Sequence, residues 1–200
     1  HSGLHKGDRV AIMAGNMPEW NMVDYGCQLA GMPTVPIYPT LSQSDLIFIL
    51  NHSAAQIIFI SDKAVCKKVL EVIAQTQIKQ VVSLRPLEGV LSLNEFATEA
   101  LRLQYNQALQ QRSQEITEND LLSILYTSGT TGTPKGVMIQ HAQMVANIHA
   151  CKNIIPFKSN WRALSFLPLN HVFERMVNTL YLYHGISIYY AESLEKIGDN

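Results

Sequence analysis

Tyr126-Thr-Ser-Gly-Thr-Thr-Gly-Thr-Pro-Lys-Gly-Val-Met-Ile139 is the stretch from which the whole chain is read. From Thr127 to Gly132 it holds only hydroxyl residues and glycine, so little side-chain bulk stands between backbone and anion. Glycine lets the chain take positive φ and approach a ligand closely, and successive amide N–H groups then converge on one oxyanion. Thr127, Ser128, Thr130, Thr131 and Thr133 add hydroxyl donors, and Lys135 adds a mobile charge on a flexible stem. In composition the stretch is a phosphate cradle.

Its spacing departs from the common phosphate loop G-x-x-x-x-G-K-[ST]. Counting from Gly129, Pro134 precedes the lysine and Gly136 follows it. Proline has no N–H to donate, and glycine has no hydroxyl for a Mg²⁺ ion. Ser123 to Tyr126 and Val137 to Ile139 are short apolar runs, so the loop is expected to join two strands rather than a strand and a helix. A ligand-free Gly/Thr hairpin is the bland alternative. A plain hairpin needs only about two to five turn residues, whereas this one spends roughly ten.

The composition suits a doubly covered sheet: of 200 residues, 47% are hydrophobic and only 16% charged, so many segments must be buried on both faces. At this length a sizeable core forms, with about 70% of the unfolded chain's surface buried. The net charge of −1 and the lack of a basic tract exclude the electrostatic footprint of a nucleic-acid binder. Cys27, Cys66 and Cys151 lie far apart without a C-x-x-C pair, which points to a reducing, cytoplasmic compartment and to three core thiols. No apolar run reaches membrane-spanning length, and no signal-peptide pattern opens the chain. The chain begins His1-Ser-Gly and ends soon after a strand-like run, and it reads as a piece of a longer protein.

Strands are expected at Arg9 to Ala14, Thr34 to Tyr38, Gln56 to Ser61 and Gln80 to Leu84. Helices alternate with them: one opening at Met17-Pro18-Glu19 with Asn16 as its cap, one over Ser42 to Leu50, and one over Asp62 to Thr76. Trp20 and Tyr38 are read as packing residues. Such alternation with short connections is the sequence form of a parallel sheet with crossover helices. A polar helix over Leu93 to Arg112 then leads to the loop. Beyond it follow a helix from Gln140 to Ile155, a strand from Ala163 to Leu167, a helix from His171 to Tyr183 and a strand from Ser187 to Tyr190. The fold class is therefore α/β, with two doubly wound, mainly parallel units packed together and the second unit cut short. Residues 1–85 form the first subdomain, 86–119 a helical connector, and 120–200 the second subdomain, which carries the loop.

Leu167-Pro-Leu-Asn-His-Val-Phe-Glu-Arg-Met176 is the second constellation. A strand ends there and His171 stands where the chain turns into a helix, and ligands of open α/β sheets lie beyond the carboxyl ends of the strands. His171 is read as a turn-capping histidine or as a site residue; Glu174 and Arg175 as an exposed helical pair or as part of that site. His141 and His149 lie eight apart on one helix with no third ligand and are read as structural.

The segment YTSGTTGTPKGVMI resembles the phosphate-binding signature of the adenylate-forming superfamily, which includes acyl-CoA synthetases, adenylation domains and luciferases. KGDRV (6–10), NMPEW (16–20), VPIYPT (35–40) and LPLNHVFERM (167–176) look like pieces of the large N-terminal domain of long-chain acyl-CoA synthetases. The resemblance implies an ATP-dependent ligase that joins a long-chain fatty acid to AMP and then passes the acyl group to coenzyme A. It implies that Thr127, Ser128, Gly129, Thr130, Thr131, Gly132 and Lys135 hold the ATP phosphates and that His171 flanks the acyl-adenylate as a catalytic-site residue. Mg²⁺ is expected with ATP, although no convincing carboxylate for it stands in the chain. The family's metal ligand, ribose and adenine contacts, and the catalytic lysine of its C-terminal domain lie downstream of these motifs. Asn170 stands where the family pattern has a small residue, and Gln140 where it has a hydroxyl, which weakens the expected N-cap. The fatty substrate leaves peripheral membrane contact open, unsupported by any amphipathic basic helix. The rival readings are a phosphotransferase or NTPase built on the same loop, and a non-catalytic nucleotide-binding or scaffold piece.

Overall fold

The computed structural model describes residues 3–102, 106–127, 132–191 and 197, apart from the side chains of 99–102 and 106. Short apolar strands alternate with helices from the start: β1 (Arg9–Met13), α1 (Pro18–Leu29), β2 (Thr34–Ile37), α2 (Gln43–Ser53), β3 (Ala55–Ile60), α3 (Lys63–Val72) and β4 (Gln80–Ser83). Two helices follow, α4 (Leu93–Arg102) and α5 (Asn106–Gln114), where a single helix was expected; residues 103–105 between them lie outside the described residues. The loop stretch is a hairpin of β5 (Leu121–Thr127) and β6 (Lys135–Gln140), succeeded by α6 (His141–Cys151), β7 (Arg162–Ser165), α7 (Val172–Tyr183) and β8 (Ser187–Tyr190).

Six strands make one sheet in the order β4-β3-β1-β2-β5-β6, parallel throughout except for the β5–β6 hairpin. Side chains alternate across it. Ala11, Met13, Val35, Ile58 and Ile60 pack under α2 and α3, while Val10, Ile12, Ile57 and Phe59 pack under α1 with Trp20, Val23 and Cys27. Burial on both faces accounts for the near-continuous apolar strands. Ser42 and Asp62 cap α2 and α3 by accepting backbone N–H groups in their first turns.

Two expectations change. The hairpin, expected with the second unit, is hydrogen-bonded to the first sheet: Ser123 of β5 pairs in parallel with Thr34 of β2. The second sheet contains β7 and β8, parallel and connected through α7. Asn16 does not cap α1; Met17 occupies that position without a side-chain hydrogen bond. Asn16 instead reaches across to the second sheet, where its amide donates to the Leu167 carbonyl at 2.6 Å and accepts from the Leu169 N–H at 2.9 Å. A distant pair of part-buried backbone groups outcompetes the local cap because both ends of the amide are satisfied at once.

Among the described residues no helix is long and apolar enough to cross a membrane.

Candidate functional site

Thr127 and Lys135 face each other as the last ladder pair of the hairpin, so together they form the mouth of the loop. Both are exposed. Gly132 takes φ +84°, a left-handed conformation that suits glycine at a turn. Ser128, Gly129, Thr130 and Thr131, the centre of the expected cradle, lie outside the described residues. The two-strand setting follows the reading of the flanking apolar runs and differs from the strand-to-helix setting of the common phosphate loop.

An aromatic buttress supports the hairpin one step below its mouth. Gly136 pairs with Tyr126, and a Cβ on Gly136 would lie 3.0 Å from Ile124 Cγ2 and 3.3 Å from Tyr126 Cζ, so the strand passes close over the ring. The Tyr126 hydroxyl lies 2.7 Å from Nδ1 of His52, whose ring stacks on Phe48 with centroids 5.2 Å apart. Burial raises the Tyr126 phenol above its ordinary pKa, so it is a neutral hydrogen-bonding group at physiological pH.

His171 is the N-cap of α7: its Nδ1 accepts the Phe173 N–H at 3.2 Å and its side chain is exposed. Acceptance at Nδ1 puts the proton of the neutral imidazole on Nε2. An apolar groove of about 430 Å³ adjoins it, lined by Val137 and Met138 of β6, Met144 of α6, and Val172, Phe173 and Met176 of α7.

Glu174 and Arg175 are not an exposed pair; they retain 4% and 3% of their accessible surface. Glu174 Oε1 accepts from the Ser165 hydroxyl at 2.6 Å and from Asn178 Nδ2 at 3.1 Å. Arg175 Nη2 donates to both oxygens of Asp24, at 2.7 and 2.8 Å, while Nη1 donates to Ser123 Oγ at 2.8 Å. Its guanidinium lies 5.5 Å from the Trp20 ring centroid. Asn170 is buried too, accepting from Trp20 Nε1 at 3.3 Å and donating to the Ala14 carbonyl at 3.1 Å, which accounts for an amide at that position. Thus α7 meets α1 along a polar seam rather than an apolar one.

Asp24, Ser123, Tyr126 and His52 carry roles that were not expected. Asp24 sits on the buried face of α1 beside Val23 and Cys27, and Ser123 interrupts the apolar run of β5; a polar residue at a core-facing position was the available signal. His141 is half-buried, and burial lowers its imidazole pKa against the opposing pull of Asp120 and Asp24. Gln140, the expected weak cap of α6, is supported by a reciprocal bond in which its N–H donates to Gln143 Oε1 at 2.8 Å. Among the described residues no group of three His, Cys, Asp or Glu side chains is placed to hold a metal, and the buried carboxylates of Asp24 and Glu174 are already paired. The described residues therefore do not fit a Mg²⁺ cage.

The sequence model of the AMP-binding enzyme family matches residues 1–197. The chain is 31% identical over 211 residues to the peroxisomal long chain acyl-CoA synthetase 6 of Arabidopsis thaliana, aligning all of this chain with 30% of that protein. It is 33% identical over 204 residues to fatty acyl-CoA synthetase A of Dictyostelium discoideum, aligning 96% of this chain with 30% of that protein. It thus spans about a third of the length of the curated relatives it matches. In fold it is similar to a red-emitting luciferase of Phrixothrix hirtus, with TM-score 0.82, 21% identity and 96% of this chain covering 38% of that one. A Mycobacterium tuberculosis fatty acyl CoA synthetase superimposes with TM-score 0.79 and 24% identity, 99% of this chain covering 37% of that one.

Proposed function

The chain belongs to the AMP-binding enzyme family, and from that premise we propose that the complete protein carrying it activates a long-chain fatty acid with ATP and transfers the acyl group to coenzyme A. A free carboxylate acylates poorly, because its carbonyl carbon is electron-rich and its leaving group would be oxide. In the proposed first step a carboxylate oxygen attacks the α-phosphorus, the bond to pyrophosphate breaks, and an acyl-adenylate forms. The thiol of coenzyme A then attacks the acyl carbon, AMP leaves with the bonding pair, and the thiol proton goes to solvent.

This chain's part is positioning and charge neutralisation. Thr127, Ser128, Gly129, Thr130, Thr131 and Gly132 would donate to the ATP phosphates, Lys135 would neutralise phosphate charge at the loop mouth, and His171 would flank the adenylate. Mg²⁺ would arrive with the nucleotide rather than in a cage built by these residues. The long-chain preference is supported by the relatives' names and the VPIYPT and HVFERM motifs. A cytoplasmic protein making peripheral membrane contact through its fatty substrate belongs to the same proposal.

The observation that carries the proposal is the hairpin setting of a loop made of hydroxyl residues and glycine, with Lys135 at its mouth. The rival phosphotransferase reading loses support there, since its loop runs from a strand into a helix N-terminus. Product analysis separates the two. With ATP, palmitate and coenzyme A, AMP and pyrophosphate are expected; ADP and phosphate would overturn the proposal, and no nucleotide turnover would favour a scaffold.

A further inference from the structure

We propose that Arg175 and Asp24 are positioning residues for adenylate formation, fixing the strand that launches the loop against the helix that begins at His171; this rests on the activation reading above. The strand β5 meets β2 at one ladder position, Thr34 with Ser123. At that position Ser123 Oγ donates to the Thr34 carbonyl at 2.7 Å and accepts from Arg175 Nη1 at 2.8 Å. Thr34 Oγ1 in turn donates to Asp24 Oδ1 at 2.7 Å. One guanidinium on α7 therefore holds α1, β2 and β5 together.

The two ends of this clamp lead to the two motifs. Arg175 stands about one helical turn, or roughly 6 Å, from His171. Ser123 stands four residues before Thr127, roughly 13 Å along the strand. A shift at the clamp moves His171 relative to the phosphate loop, and a misplacement of about 1 Å is costly where reacting groups must meet in near-attack geometry. Stability alone does not account for a charged clamp. Burying both ions is costly, and apolar replacements of similar volume are often neutral or stabilising. What the fork supplies and an apolar pair lacks is fixed direction, through donors aimed separately at Asp24 and Ser123.

The test is made in the complete protein that carries this chain. Asp24→Leu combined with Arg175→Met removes both charges and is expected to hold Tm within a few degrees while carboxylate-dependent pyrophosphate exchange falls by at least about tenfold. A folded double variant that exchanges at the unmodified rate overturns the positioning role. Ser123→Ala covers the case in which the double variant fails to fold, because it cuts only the hold on β5. It leaves the buried Nη1 without that acceptor, so Tm is expected to fall by a few degrees, and in assays below that Tm the KM for ATP is expected to rise by about fivefold or more; an unchanged KM overturns the proposal. An unmodified protein that exchanges with no acid would instead overturn the activation reading and this proposal with it.

Discussion

Lys135 stands exposed at the mouth of the hairpin, so its side chain can be removed without opening a cavity. In the complete protein, Lys135→Ala is expected to lower adenylation by about a hundredfold or more and to leave Tm nearly unchanged, compared by pyrophosphate exchange and calorimetry. Activity surviving intact would remove Lys135 from the phosphate site. One residue further on the cost falls on packing. A methyl on Gly136 meets Ile124 and the Tyr126 ring at 3.0 and 3.3 Å, so Gly136→Ala is expected to destabilise by about 1–3 kcal/mol through overpacking, read from denaturant unfolding. The loop's chemistry is legible in its residue types, since hydroxyls, glycine and lysine are what an anion asks for. The buttress of Tyr126 and His52 was not legible, because the two residues lie 74 apart in the chain and become neighbours only when α2 folds over β5.

Strands β1, β2 and β3 were readable because each is apolar enough to be buried on both faces, and α1, α2 and α3 each have a local start signal in Pro18, Ser42 or Asp62. Asp62 is one such signal. Burial alone would raise its carboxyl, but hydrogen bonds from the Ser61 hydroxyl and the Val65 and Ala64 N–H groups outweigh this and hold it below the usual carboxylate range. A depressed folded-state pKa means that the ionised cap stabilises above the ordinary Asp value of about 3.9, and that this contribution is lost as pH falls through the folded value. Asp62→Ala is expected to cost about 1 kcal/mol at neutral pH, and the difference from the unmodified chain should shrink as unfolding curves are repeated towards pH 3. A constant difference would exclude the charge as its source. Of the two readings open for Glu174 and Arg175 in α7, the exposed pair is excluded by their burial, although two adjacent charges in an amphipathic helix ordinarily face water. They are buried because each finds a partner off the helix: Glu174 accepts from the Ser165 hydroxyl of β7, and Asp24 of α1 takes the Arg175 guanidinium.

Across the whole molecule the two sheets are joined by amides and charges. Asn16, Asn21 and Asn170 each bridge from one part of the chain to another more than a hundred residues away. No local signal could assign those partners; Asn16 looks like a helix cap until the Leu167 and Leu169 backbone is brought beside it. Asn16→Ala leaves that buried carbonyl and N–H without their partner and is expected to cost about 2 kcal/mol. Hydrogen exchange should quicken at Leu169 while β1 and β3 stay protected, and uniform quickening would mean that Asn16 supports the first sheet instead. Fatty-acid adenylation is read out by carboxylate-dependent exchange of labelled pyrophosphate into ATP, using the complete protein with acetate, medium-chain and long-chain fatty acids and an aryl acid. Exchange that strengthens with chain length is the expected result. Exchange confined to acetate or the aryl acid would keep adenylation and contradict the long-chain assignment, and no exchange with any acid would contradict adenylation itself.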